Sequence, residues 1–102
     1  MFILNFHNLH ANDEVDSASK EHIAFLQHYI DKGVFVVAGA KVPRTGGIIV
    51  AQGVDRSVVE TIVANAPFVK LGHATVEIIE FRAYFSGDAI KLAPVEIVEF
   101  KK

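Results

Sequence analysis

Phe2, Leu4 and Phe6 alternate with Ile3, Asn5 and His7 at the start of the chain. A period of two, with one set wholly apolar, predicts a first strand that buries its Phe2, Leu4 and Phe6 face. His10 to Asp16 is polar and reads as a loop. The period then lengthens. At about 100° per residue, Ala18, His22, Phe25, Leu26 and Tyr29 share one side of a helix over Ser17 to Lys32. Ile23 and Ile30 widen that arc, and Lys20, Gln27 and Asp31 lie opposite. Asp16 or Ser17 suits the helix N-cap, and Gly33 suits a left-handed stop.

Val34 to Ala38 is a continuous apolar run of strand length. Gly39 to Gly47 holds Pro43 and two adjacent glycines, which predicts a loop, and Ile48 to Ala51 is a third strand. The two strands read as an antiparallel hairpin with a long connection. Asp55 is placed to cap a second helix, in which Val58, Val59, Ile62 and Val63 share one side. Pro67 ends it, because the residue before a proline avoids the helical region. His73 to Phe85 alternates as one long strand, Ser86-Gly87-Asp88 turns the chain, and Val95 to Phe100 reads as a final strand.

The order is β-α-β-β-α-β plus a short C-terminal extension. That is an α+β, ferredoxin-like arrangement, with two helices on one face of an antiparallel sheet. At 102 residues the chain is expected to form one domain over 1–102. The other sheet face is left open, and Val34 to Ala38 and Ile48 to Ala51 are apolar on both sides. Either long loops or the tail cover such a face, or it packs sheet to sheet in a homodimer; the tail is too short to cover a whole sheet, which favours the homodimer.

Composition removes several partners and chemistries. There is no cysteine, so disulfides, thiolate metal sites and cysteine nucleophiles are excluded. The net charge is −2 with scattered lysines and arginines, and no basic stripe exists to neutralise phosphates, so nucleic acid is not an expected partner. No apolar run approaches the roughly 20 residues that span a bilayer. The first residues lack a signal-peptide pattern, and the expected compartment is the cytoplasm. Glu77 and Glu80 fall on opposite strand faces and cannot act as a carboxylate pair.

His22 is the most informative single residue, because it lies inside an apolar arc. An imidazole there either bonds a backbone carbonyl within the core or reaches a cleft. In the loop, Gly39, Gly46 and Gly47 let backbone approach a ligand, and Arg44 suits a carboxylate. The alternative is an ordinary hairpin turn with a solvated arginine. His73, at the start of the long strand, either lines the same cleft or lies at the surface. His28 reads as solvated. His7 and His10 have no carboxylate partners in a ligand pattern, so no metal is expected.

Lys20 to Leu26, Gly33 to Ala40, Gly46 to Val50, Ala66 to Gly72 and Val76 to Phe81 together resemble the YciI-like (YCII-related) family. The resemblance runs from Met1 to about Phe85, and leaves 86–102 as a C-terminal turn and strand. It implies a ferredoxin-like member of the dimeric α+β barrel group, with a cleft lined by a histidine and an aspartate. His22 matches the family histidine. Gly39, Gly46 and Gly47 match the family's cleft-lining loops, on the same stretch as the substrate-binding candidates Ala40 and Arg44, and Pro67 and Phe68 match the end of an Asp-Pro-Phe motif. The aspartate is replaced by Ala66, so a charged group to orient the imidazole is missing.

Two functions follow. The first is a cofactor-independent enzyme that moves a proton on a small aromatic or acidic compound by elimination or isomerisation, with His22 as acid or base. The second is a non-catalytic dimer that binds a small molecule or a partner. Ala66 favours the second, and His22 with its glycines favours the first.

Overall fold

The computed structural model describes residues 1–9 and 19–97. The elements run β1 (Phe2–Asn8), α1 (Ser19–Asp31), β2 (Phe35–Ala40), β3 (Gly46–Ala51), α2 (Arg56–Ala64), α3 (Pro67–Lys70) and β4 (Ala74–Glu80). A single 3-10 turn follows at Pro94–Glu96. The sheet order is β2-β3-β1-β4, and every neighbouring pair is antiparallel. This is the ferredoxin-like α+β arrangement that the sequence predicts.

β1 is central because its alternation serves two layers. Phe2, Leu4 and Phe6 are all buried. Leu4 lies between Ile49 on β3 and Ile78 on β4. These side chains face the helices and join Phe35, Val59, Ile62 and Val63 in one core. Burial of such large apolar groups contributes about 1.5–3 kcal/mol each before the entropy of ordering them is counted. Of the residues placed on the α2 inner side, Val58 stays 43% exposed. On α1, His22, Phe25, Leu26 and Tyr29 are half-buried, while Ile23 and Ile30 remain exposed.

Gly33 ends α1 as expected. It has φ +76°, its N–H donates to the Ile30 carbonyl (3.0 Å), and Val34 N–H donates to the Tyr29 carbonyl (3.0 Å). That pair of bonds is the Schellman closure. Asp55 does precede α2, but its side chain makes no capping bond; its carbonyl accepts from Val58 and Val59 instead. Pro67 both follows the end of α2 and opens α3, after Ala66 in extended backbone.

Three boundaries depart from the sequence reading. Gly39 and Ala40 belong to β2, and Gly46 and Gly47 belong to β3, because the ladder continues through Gly39↔Ile48 and Ala40↔Gly47. The loop is therefore only 41–45. β4 stops at Glu80 rather than Phe85: its ladder with β1 ends at Phe2↔Glu80, and Phe81 N–H still donates to the Met1 carbonyl (2.9 Å). Where a strand is expected from Val95, Val95 and Glu96 form part of the 3-10 turn instead; 98–100 lie outside the described residues, as does the loop from His10 to Asp16.

The extension is held at the far end of the sheet. Buried Gln52 donates to the Lys91 carbonyl (2.9 Å) and accepts from Ala93 N–H (3.0 Å). Glu96 pairs with the Met1 ammonium (2.6 Å) and accepts from Gly53 N–H (3.0 Å).

Candidate functional site

A cavity of about 300 Å³ opens between α1, the end of the β2–β3 hairpin and α3. His22 and Phe68 line it, together with Gly39, Ala40 and Arg44. Gly46 and Gly47 complete the hairpin wall. Apolar walls come from Phe6, Ile23, Leu26 and Ile49. The volume is at the small end of ligand sites and suits a molecule of about one ring.

Glycine is required at one of these wall positions. A Cβ on Gly46 would run into the backbone carbonyl of Phe6, so β3 can approach β1 there only without a side chain. A Cβ on Gly39 would meet nothing within 4 Å, so its side of the wall is open space.

The imidazole of His22 is held by rings. Phe68 stacks on it at 4.0 Å between centroids and 13° between planes, and Phe25 lies at 6.0 Å and 22°. Phe6 meets it edge to face at 6.3 Å. Proline at the first position of α3 fixes the backbone that carries Phe68, and the helical spacing of α1 sets Phe25 three residues beyond His22. Burial among these rings pushes the His22 pKa below its ordinary value, because a charged imidazolium loses solvation there. Nδ1 is buried with no hydrogen-bond partner among the described residues. The ring is thus neither fully buried nor solvated.

Ala66 is fully buried in the core directly before Pro67. Asn65 is exposed and turns its amide back onto the Thr61 carbonyl (2.8 Å), so it does not stand in for an aspartate. No carboxylate lines the cavity among the described residues, and Arg44 is the cation in its wall.

Two residues expected in the site are outside the cavity wall. Pro67 opens α3 directly before Phe68. His73 sits beside the cavity, where its N–H donates to the Phe68 carbonyl (2.7 Å) and its carbonyl accepts from Leu9 N–H (2.8 Å). His7 is exposed on the open sheet face, His28 packs edge-on against Tyr29, and His10 lies outside the described residues. Among the described residues no group of three or more His, Cys, Asp or Glu is placed to hold a metal, and no helix is long and apolar enough to cross a membrane.

Asn8 lines the cavity and was not singled out from the sequence. The signal was present: Asn8 continues the Phe2, Leu4, Phe6 face with a polar residue where an apolar one is expected.

Fold and cavity together define a small ferredoxin-like α+β domain with a ring-packed histidine in a cleft. The chain belongs to the YCII-related domain family, whose pattern matches residues 1–82. A similar solved structure is the 5-chloro-2-hydroxyhydroquinone dehydrochlorinase of Burkholderia phenoliruptrix, in complex with 2,5-dihydroxybenzoquinone. Its TM-score is 0.66 at 18% identity, over 79% of this chain and 93% of that one. No protein of curated function matches.

Proposed function

We propose that this chain is a cytoplasmic homodimer whose cavity takes a small aromatic or acidic molecule and moves a proton on it, by elimination or isomerisation, without a cofactor. His22 is the acid or base and Arg44 the anion anchor. The observation that carries the reading is the imidazole's position. Its pKa is lowered by burial, so at neutral pH it is uncharged and able to accept a proton, and it shares a small apolar cavity with a cation. Similarity in fold to a dehydrochlorinase supports elimination as the reaction class.

The dimer is supported by the open sheet face, which carries Val37 (57% exposed) and Ile79 (42%) on two of its strands. Sedimentation at micromolar concentration is expected to give twice the monomer mass, and Val37→Asp is expected to lower it. A wild-type monomer would end this part of the proposal.

The test of the chemistry is a panel of chlorinated hydroxyquinols and hydroxybenzoates, followed by chloride release and by deuterium uptake in heavy water. His22→Gln is expected to remove turnover while binding survives. Equal turnover in the two proteins would refute the role of His22.

A second reading, a binding protein without catalysis, is favoured by one specific observation. Among the described residues Nδ1 of His22 has no partner to orient it, and Ala66 supplies none. Binding by wild type with no turnover on any member of the panel would select this reading.

A further inference from the structure

Asn8 is the last residue of β1, and its position is set on both sides. Its N–H donates to the Thr45 carbonyl (2.9 Å), which ties it to the loop that carries Arg44. It pairs across β4 with Ala74, next to the junction where His73 bonds back to Phe68. Asn8 therefore stands between the loop of the cation and the segment that carries the ring stacked on His22. It is half-buried on the helix-facing side of β1, and it lines the cavity. Among the described residues its side-chain amide makes no hydrogen bond.

A side-chain amide carries two donors and one acceptor, and a half-buried one that is left unpaired when a ligand expels water is costly. An apolar residue here would have continued the Phe2, Leu4, Phe6 alternation and closed the cavity with a greasy end. Among the described residues the Asn8 amide serves no contact of the fold itself.

We propose that Asn8 is a specificity-determining residue. It reads a neutral oxygen, a hydroxyl or carbonyl, on a ligand whose anionic group is held by Arg44. This rests on the small-molecule reading above and narrows it to single-ring acids that carry a second oxygen. A plain carboxylic acid of the same size satisfies Arg44 but leaves the amide unpaired, so it binds more weakly. The discrimination expected from one neutral hydrogen bond is roughly three- to tenfold.

The experiment is calorimetric titration of the wild-type protein with benzoate and with its 2-, 3- and 4-hydroxy isomers. At least one hydroxy isomer is expected to bind three- to tenfold tighter than benzoate. In Asn8→Leu that margin disappears while benzoate affinity holds or rises. In wild type, the side-chain NH₂ resonances of Asn8 move with the favoured isomer and not with benzoate. This readout does not depend on a variant folding. A margin that persists in Asn8→Leu, Asn8 resonances that stay still on binding, or equal affinity for all four acids overturns the role of Asn8 and leaves the small-molecule site standing. No binding of any of the four refutes the acid-binding site, and Asn8's role falls with it.

Discussion

Restoring a carboxylate at position 66 tests whether the two halves of the site face each other. Ala66 has extended backbone (φ −61°, ψ 132°) and is the N-cap of α3. Two residues later Phe68 lies flat on His22 at 4.0 Å. In Ala66→Asp the new carboxylate meets three forces. As an N-cap acceptor for the free N–H groups of the first turn of α3 it gains about 1 kcal/mol. As a charge in a fully buried position it loses several kcal/mol of solvation. As a neighbour of His22 it stabilises the imidazolium. A carboxylate that faces an imidazolium favours its charged form by about 1–3 pK units. The His22 pKa, held below 6.5 by burial in the wild type, is thus expected to rise. The linkage weakens with it. In the wild type the folded state binds fewer protons than the unfolded, so stability falls as pH drops below 6.5 toward the lowered His22 value. In the variant a raised pKa narrows the gap between the two states, so less stability is lost over the same fall in pH. NMR titration of the His22 ring in both proteins, with chemical denaturation at pH 5 and 8, measures both effects. A folded variant with an unmoved His22 titration would mean that positions 66 and 22 do not face each other, and the orienting role of an aspartate there would not apply to this chain.

Gly46→Ala is expected to destabilise the fold by about 1–3 kcal/mol, because the new Cβ meets the Phe6 backbone carbonyl and β3 must move away from β1. Gly39→Ala, into open space and without a positive φ, should change stability by no more than about 0.5 kcal/mol; equal midpoints in urea for the two variants would refute the close-approach account. Burial alone would raise the Glu96 carboxyl, but its bonds from the Met1 ammonium and Gly53 N–H, with the ammonium charge, hold it below its ordinary value. Its contribution is therefore present above the ordinary carboxylate pKa and lost as pH falls through the lowered one. Glu96→Gln is expected to cost about 1–3 kcal/mol near neutral pH and to flatten the acid limb of stability, as followed by thermal melts across pH.

The central layer was legible because it rests on local periodicity: Phe2, Leu4 and Phe6 at period two, Phe25 and Tyr29 at period four, and Gly33 as a stop. What was not legible was set by partners distant in sequence. Gly39, Gly46 and Gly47 look like loop residues on intrinsic preference, yet a ladder that begins at Phe35 and Ala51 carries them as strand. β4 ends where its pairing with β1 stops, at Phe2↔Glu80, and nothing in Phe81 to Phe85 records that. The site divides in the same way. His22 stood out as an imidazole in an apolar arc, whereas Phe68 was reached only through its match to the family motif. Asn8 was passed over because its significance appears only once Thr45 and Ala74 are found beside it.

Gln52 and Glu96 bear on where this protein can be divided. The family pattern ends at residue 82, yet Gln52 spends both ends of its amide on the backbone at Lys91 and Ala93, and the first residue of the chain is neutralised by Glu96. A fragment cut at the homology boundary would strand a buried amide and a buried ammonium, at the sheet end opposite the cavity. Fragments or fusions of this chain should therefore keep residues through at least Ile97, and one cut at residue 82 is expected to melt at lower temperature than the full chain.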